Sequence, residues 1–518
     1  MINAVGRELP EQIENYKVRP YVGAYLTSAP NNPVVTKRVM RHRLPEEKKL
    51  LGSLKEAIVK SGLRDGMTIS FHHCFREGDM IIGQVLETIS EMGIKELRFA
   101  PSAVVNIQDL SISKYIEDGT ISRIEASGIR GELGNAVLHG CMKHAVILRP
   151  HGARPRAIEA GELQIDVAFI GASASDDYGN CTGQIGPNAC GSLGYAFTDA
   201  YNAGCTIVIT DNIVEYPCVP VSISQQYIDY VVKVDSIGDP EKIGTGAARL
   251  TKSPTNLMIA KDCVKVIAAS RRFIEGYSFQ TGVGAIAIAV TKYLADETEK
   301  KGIRAGFALG GISAAVIDMY DKGLVKAVEC SQSFDSVAAR AIYDRPRVLE
   351  IDNADYSNAY TKGGFLNRED FGILGALEID TDFNVNILTG STGQMMGGLG
   401  GGPDVAGGAQ IPIVALPLIR KRTPSIVNKV FTVCEPGETI AVLVTDAGIS
   451  LNPRHRNYQE LKEDFDRAGI RTVDIHDLQK LAERFTGIPD PIATKDRIVG
   501  IVEYRDGTVI DVLRELQE

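Results

Sequence analysis

The sequence predicts an α/β protein of two similar halves, each a mostly parallel sheet flanked by helices, with an N-terminal arm in front. Three observations carry this. Short apolar runs rich in Val and Ile alternate with amphipathic helical segments, the pattern of parallel strands joined by crossover helices. The order of motifs in the first half returns in the second. The chain has 518 residues, more than one ordinary core accommodates.

Residues 1–45 carry five prolines and little periodicity, which fits an arm wrapped over the body or a partner. Residues 46–62 follow with Leu50, Leu51, Leu54, Ala57 and Ile58 at helical spacing. Asp79 is placed to cap the next helix, whose apolar stripe is Ile81, Ile82, Val85, Leu86 and Ile89. That helix ends at Gly93, and a strand over 96–100 comes next. A short apolar run at 145–148 is followed by 166–171 (DVAFIG) and 205–210 (CTIVIT), which read as buried parallel strands. The Gly-, Lys- and Asp-rich stretch 236–252 divides the chain into a first unit, 46–245, and a second, 246–518. In the second unit, strands are expected at 307–309, 325–329, 348–351, 378–388 and 411–416. More sheet is expected at 439–445 and 470–474, before a C-terminal helix.

The repeat is specific in order. DVAFIG leads to Asp176, Asp177, Tyr178, Gly179 and Asn180, then TGQ at 182–184, a Gly-rich loop and CTIVITD. ALEID leads to Asp382 and Asn384, then TGQ at 392–394, a Gly-rich loop and IPIVALP. Duplication of one α/β unit explains both.

Composition bounds the function. Hydrophobic residues make up 44% and charged residues 23%, as in ordinary globular proteins. The net charge of −9, without a long basic run, argues against nucleic acid or an anionic membrane as partner. Nine scattered cysteines with no CxxC pair fit reduced thiols in the cytoplasm. No signal-peptide pattern and no membrane-length apolar run is seen, so the expected location is cytoplasmic.

Five segments could carry chemistry. In 377–388 (LEIDTDFNVNIL), Glu378, Asp380, Asp382, Asn384 and Asn386 alternate with apolar residues, so a single strand would set them on one face. That face is either solvated or turned to a cleft, where a carboxylate could attack or position an acyl group. The stretch 393–410 (GQMMGGLGGGPDVAGGAQ) lies directly after it. It lacks both the P-loop lysine and a clean dinucleotide fingerprint, and no Ser or Lys keeps it solvated. Its glycines would let backbone N–H groups approach an oxyanion. In 278–290 (SFQTGVGAIAIAV), Gly282 and Gly284 open an apolar helix whose N-terminus could face an anion, or simply form a tight connection. In 71–78 (FHHCFREG), His72, His73 and Cys74 are adjacent and so diverge, and no metal-ligand spacing is present. In 149–156 (RPHGARPR), Arg149, Arg154 and Arg156 could fork onto a polycarboxylate or form a solvated basic loop.

DVAFIGASASDDYGN resembles the strand-and-turn signature of coenzyme A transferases. FQTGVGAIAIAV, QSFDSVAARAIYDRPRVLEIDNADYSNAY, GALEID and GLGGGPDVAGGA resemble, in order, segments of the fused acyl-CoA transferase and hydrolase group. Over nearly its whole length the chain resembles the alpha chains of bacterial citrate lyase. The resemblance implies two coenzyme A transferase-like domains and a citrate CoA-transferase activity. Such a chain exchanges the acetyl group of acetyl-acyl-carrier-protein for citrate, giving citryl-acyl-carrier-protein and acetate. It implies an oligomeric complex serving citrate fermentation. One partner is a beta chain, a citryl-thioester lyase. The other is a gamma chain, the acyl carrier protein, which bears a phosphoribosyl-dephospho-coenzyme A arm that acetyl-CoA could replace. No metal and no tightly bound cofactor is implied.

By the same resemblance, Glu378 in GALEID stands where related transferases keep a nucleophilic glutamate. In the citrate lyase type citrate attacks the thioester directly, and Glu378 would then orient reactants. Gly398, Gly400, Gly401 and Gly402 match the loop beside the thioester, with Gly-Pro-Asp where the related pattern has Gln-Val-Asp, so only backbone donors carry over. Gly282 and Gly284 join this thioester-binding set. Asn358 matches an asparagine of the group's Tyr-Val-Asn segment, with Ser357 in place of Val. Citrate, with about three negative charges at neutral pH, needs cations, and Arg130, Arg149, Arg154 and Arg156 are the candidates. The same motifs fit a general acyl-CoA transferase or thioester hydrolase acting on another acid. The arm leaves room for a non-catalytic scaffold.

Overall fold

A computed structural model describes residues 1–28, 43–44, 46–105, 109–243, 251–282 and 284–517, with backbone alone at 109–111. Two large sheets organise the chain, and helices flank both. The first runs in the order Val509–Leu516, Thr494–Glu503, Val146–Leu148, Ile121–Ala126, Leu97–Pro101, Thr68–Phe71, Val167–Gly171, Cys205–Thr210, Tyr230–Lys233, Leu50–Leu51. Every neighbouring pair is parallel except the C-terminal hairpin itself. The second runs Val348–Glu350, Val328–Ser333, Phe307–Ile312, Ser278–Gln280, Phe371–Leu374, Ile411–Ala415, Val442–Thr445, Gly448–Leu451. Only its last pair is antiparallel. Strands of this kind are covered on both faces, which is why CTIVIT and IPIVA are mostly apolar and fully buried.

The helix after Asp79 forms as the stripe predicts. Asp79 Oδ1 accepts from the amides of Ile81 and Ile82, at 3.0 and 3.1 Å, and Ile81, Ile82, Val85, Leu86 and Ile89 are all buried. Leu50 and Leu51 depart from expectation. They form an edge strand on Val231 and Val232, and the helix starts only at Leu54, behind the Ser53 cap. Residues 470–474 also form no strand, apart from one bridge between Ile449 and Thr472.

The largest corrections are at the C-terminus and around Glu378. In place of a terminal helix, the chain ends in a hairpin, Thr494–Glu503 with Val509–Leu516, that adds to the first sheet through Val146–Leu148. Its pattern of Val, Ile and Leu serves two faces, one against the first core and one under the arm. Leu9, Ile13 and Val18 of the arm pack on Ile501 and Val509, and Tyr21 stacks edge-on against Tyr504. The rest of the expected arm, 29–42 and 45, and the expected unit boundary at 245/246 lie outside the described residues.

The expected strand 378–388 is instead a hairpin, Glu378–Asp380 against Val385–Asn386, with Phe383 at positive φ in its turn. Asp380 sets the turn. Its carboxylate accepts from Asp382 N, Asn384 N, Asn384 Nδ2 and Val430 N. The first half contains the same device. Asp176 accepts from Tyr178 N, Asn180 N, Asn180 Nδ2 and Cys218 N, and the hairpin there is Ala174–Ser175 against Cys181–Thr182. The repeat is therefore strand, Asp–Asn hairpin, glycine-bearing loop, short helix, strand. Val167–Gly171 corresponds to Phe371–Leu374, and Cys205–Thr210 to Ile411–Ala415. The TGQ triplets do not coincide, since Thr182 lies within a hairpin strand and Thr392 lies beyond one.

No disulfide joins any of the nine cysteines among the described residues, and no described helix is long and apolar enough to cross a membrane. Asp380→Ala strands three buried donors and the part-buried amide of Asp382, and is expected to cost about 3 kcal/mol, against under about 0.5 for its exposed neighbour Asp382→Ala. Denaturant unfolding of the two variants side by side checks this.

Candidate active site

Parallel strands leave their carboxyl ends free to carry loops, and ligand sites gather there. The two sheets turn these ends toward each other. From the first come His73, Ser127, Gly128, Arg130 and His151, after strands ending at Phe71, Ala126 and Leu148. From the second come Gln280, Gly311, Gln332, Gly375 and Pro417. Between them lies a cleft of about 730 Å3, within the size range of small-molecule sites.

The glycine stretch lines this cleft from Gly397 to Gly402 and is tied to the opposite half by its backbone. Leu399 N donates to Ser127 O at 2.7 Å, and His151 N donates to Gly400 O at 2.8 Å. Gly128 and Gly398 face each other as an isolated bridge, and a Cβ on Gly128 would stand 2.4 Å from the Cα of Gly398. A Cβ on Gly397 would meet Ile387 O at 2.0 Å. These glycines are required for space. The stretch is packed, as its lack of solvating side chains suggests, and Gly402–Gly408 closes it as a short helix.

Charge in the cleft is mostly cationic. Arg76, Arg130 and Arg420 line it, with Glu77 and Glu435 as its acids. Arg76 has φ +53° and lies over the Phe334 ring at 5.1 Å. Glu435 is fully buried directly beneath Gly402, whose Cβ would stand 2.3 Å from Oε1, and neither carboxyl oxygen has a hydrogen-bond partner among the described residues. Burial without compensation pushes its pKa up to about 8, so it is largely uncharged at neutral pH. Asp404 on the short helix accepts from Gly152 N at 2.8 Å; burial lifts its pKa to about 7, and Arg505 pulls the other way.

Three rings complete the wall. His73 packs on Tyr195 with ring centroids 4.5 Å apart, and its Nδ1 is 2.6 Å from Ser102 Oγ. His151 Nδ1 is 2.7 Å from the Tyr195 hydroxyl. Burial and neighbouring Arg130 and Arg154 lower the His151 pKa to about 3. The adjacent His72 turns away to Gly171 O, as expected of consecutive residues. No cluster of His, Cys, Asp or Glu suited to a metal occurs among the described residues.

The structure divides the residues singled out by sequence. Gly398, Gly400, Gly401, Gly402, Gly282, Gly284 and Arg130 line the cleft. Gly284 caps the helix Ala285–Lys301, whose first residues also line it, while Val283 lies outside the described residues. Glu378 does not line it. Glu378 borders a separate cavity of about 590 Å3, with Arg7, Ser391, Phe431 and Arg514. Its carboxyl accepts from Ser391 Oγ and from Asn386 Nδ2, and burial raises its pKa to about 7. Arg420 connects it electrostatically to the cleft.

Arg149, Arg154, Arg156 and Asn358 do not line the cleft. Arg149 is clamped between Glu125 and Glu503, Arg154 bonds Asp199 at 2.5 Å, and Arg156 pairs with Glu162 at 2.9 Å. All three are buried, and their charge is already matched, because an unpaired buried guanidinium would be too costly. The amide of Asn358 is spent on Glu159, 2.6 Å away. Sequence reading missed Glu435, Arg420 and Tyr195. The one available signal was Glu435 inside FTVCEPGET, directly after the apolar run that ends at Val433 and Cys434.

Glu435 ties stability to pH. Its raised pKa means that the folded state holds a proton that the unfolded chain releases above the ordinary carboxylate range. This contribution is full below about pH 4.5 and is lost as pH rises through about 8. The histidines with depressed pKa act on the acid side, so they do not interfere above pH 7. Between pH 7 and 9, Glu435→Gln is expected to lose about 1 kcal/mol less stability than the parent, read by denaturant unfolding at each pH.

The family model for citrate lyase, alpha subunit (CitF), matches residues 47–516. A citrate lyase alpha chain from Klebsiella pneumoniae is 44% identical over 471 residues, covering 91% of this chain and 92% of that one. The crystal structure of the putative alpha subunit of citrate lyase from Streptococcus mutans, in complex with citrate, is similar with a TM-score of 0.95 and 42% identity, covering 100% of both chains. The malonate decarboxylase alpha subunit from Acinetobacter baumannii shares the fold, with a TM-score of 0.63 at 13% identity over 85% of this chain and 87% of that one.

Proposed function

This chain belongs to the citrate lyase alpha subunit family, and from that premise we propose that it is the transferase that exchanges acetyl for citrate on a carrier-protein thioester. Acetyl-acyl-carrier-protein and citrate give citryl-acyl-carrier-protein and acetate. The observation that carries the reading is the glycine backbone of 397–402, held against a cleft whose cations outnumber its acids. The phosphoribosyl-dephospho-coenzyme A arm of the carrier would enter along this cleft, with its thioester beside the glycines. The citrate-bound Streptococcus mutans relative supports citrate as the acid. A gamma-chain carrier and a beta-chain lyase would complete an oligomeric complex, and the two halves would act as paired coenzyme A transferase-like domains.

The chemistry needs no net proton transfer. A citrate carboxylate oxygen adds to the acetyl carbonyl carbon, the C–S bond breaks, and a mixed anhydride and a thiolate result. The thiolate then adds to the citryl carbonyl, and acetate leaves. Negative charge on the acyl oxygen peaks at each addition, so preorganised N–H donors lower both barriers, each by roughly 3 kcal/mol. Citrate would lie against Arg76, Arg130 and Arg420. Two buried carboxyls compete for an acyl-handling role. Glu378 is the candidate by resemblance, and Glu435 is the one that lines the cleft. We assign Glu378 an indirect role through Arg420.

Release of labelled acetate from acetyl-CoA or acetyl-carrier, dependent on citrate, is the defining assay. Arg130→Ala is expected to raise the KM for citrate by about tenfold or more, the loss of one charge-assisted contact. Glu378→Gln is expected to slow turnover by no more than about tenfold, since its effect passes through Arg420. Loss of turnover by orders of magnitude would instead restore Glu378 as the reacting carboxylate. A chain that exchanges acyl groups by itself excludes the scaffold reading, and a panel of acids separates citrate from other acceptors.

A further inference from the structure

We infer that His151 is a catalytic hydrogen-bond donor to the acyl oxygen through Nε2–H, and that Tyr195 is the positioning residue that fixes its tautomer. The inference rests on the acyl-exchange reading of the cleft.

The residue is held through its backbone and through one edge of its ring. The backbone of His151 donates from N to Gly400 O at 2.8 Å and accepts at O from Asn353 Nδ2 at 2.6 Å. Its imidazole lies beside the glycine backbone: a Cβ on Gly400 would be 3.9 Å from Cε1, and one on Gly401 3.9 Å from Nδ1. Tyr195 meets it edge-on at 4.8 Å, and His73 lies 5.5 Å away. A donor on this ring therefore lies in the same part of the cleft as the glycine backbone.

The tautomer follows from a proton count. Tyr195 is buried, and its hydroxyl contacts only His151 Nδ1 among the hydrogen bonds of the described residues. If Nδ1 carried the proton and donated to the tyrosine, the hydroxyl proton would find no acceptor among the described residues, at a cost of about 1–3 kcal/mol. If the tyrosine donates, only an oxygen lone pair is unfilled. Nδ1 is then the acceptor, and the ring proton lies on Nε2, which bonds no described residue on a ring that lines the cleft.

The charged and titratable groups facing the ring are Arg130, Arg154, His73 and Tyr195. The two arginines and burial oppose an imidazolium, which keeps the ring neutral. A neutral donor suits this reaction. An imidazolium would hold citrate and acetate in the ground state as firmly as the transition state, which does not raise turnover. A neutral N–H strengthens its bond mainly as the acyl oxygen becomes an oxyanion, and it keeps its proton, matching a reaction with no net proton transfer.

The test combines histidine-specific 15N NMR with kinetics on the full chain. In the parent, His151 is expected as the neutral Nε2–H tautomer from pH 5 to 8. In Tyr195→Phe it should become a tautomer mixture, with kcat down about tenfold and the KM for acetyl thioester within about twofold. His151→Ala should lower kcat by about 100- to 1,000-fold, and His151→Gln, which retains an N–H donor, should recover part of it. An imidazolium or an Nδ1–H tautomer at pH 7 overturns the inference, as does a His151→Ala kcat within about threefold of the parent. Absence of citrate-dependent acetate release in the parent overturns the acyl-exchange reading instead.

Discussion

The contact between Gly128 and Gly398 is the constraint on which the rest depends. Two loops from different sheets touch backbone to backbone, with no room for a Cβ on either side. The hydrogen bonds from Leu399 to Ser127 and from His151 to Gly400 continue that seam. A pair of sheets could pack in many ways and still bury their apolar faces. Only close approach at this seam sets the glycine backbone, the arginines and the imidazoles within reach of one ligand.

Support for the seam comes from distant parts of the chain. The terminal hairpin extends the first sheet beyond Val146–Leu148, and its Glu503 holds Arg149, two residues before His151. Arg505 lies 3.8 Å from Asp404, which in turn receives the amide of Gly152. The last residues of the chain thus fix the loop that carries His151. Their place in the first sheet, rather than in a terminal helix, makes that possible.

What was legible in the sequence follows the range of the interactions involved. The helix Ile81–Glu91 and the strand Cys205–Thr210 were legible because periodicity and capping are local. The packing of 393–410 was legible because a stretch with so many glycines and no solvating side chains has few other fates. Leu50 and Leu51 were not, since two leucines at helical spacing carry no sign that Val231 and Val232 wait for them. Glu378 misled because strict alternation is also what a tight hairpin gives when an Asp and an Asn close its turn. The arginines of RPHGARPR misled because local sequence shows the cations and hides Glu125, Asp199 and Glu503, which neutralise them. Glu435 was invisible for the same reason: its meaning lies in the absence of a partner, which only the fold reveals.

The electrostatic pattern around the cleft has a single logic. Its cations, Arg76, Arg130 and Arg420, line the walls, where a charged acid can meet them. Groups under and beside the glycine backbone are shifted toward their uncharged forms. Glu435 and Asp404 have raised pKa values, while His151 and His73 have lowered ones, and burial is the leading cause in all four. A fixed negative charge there would repel an acyl oxygen gaining charge, and a fixed positive charge would trap the carboxylate product. Neutral dipoles do neither. They are weak toward a resting thioester and strong toward an oxyanion, so the desolvation that keeps these groups neutral also makes them selective for the state in which bonds change.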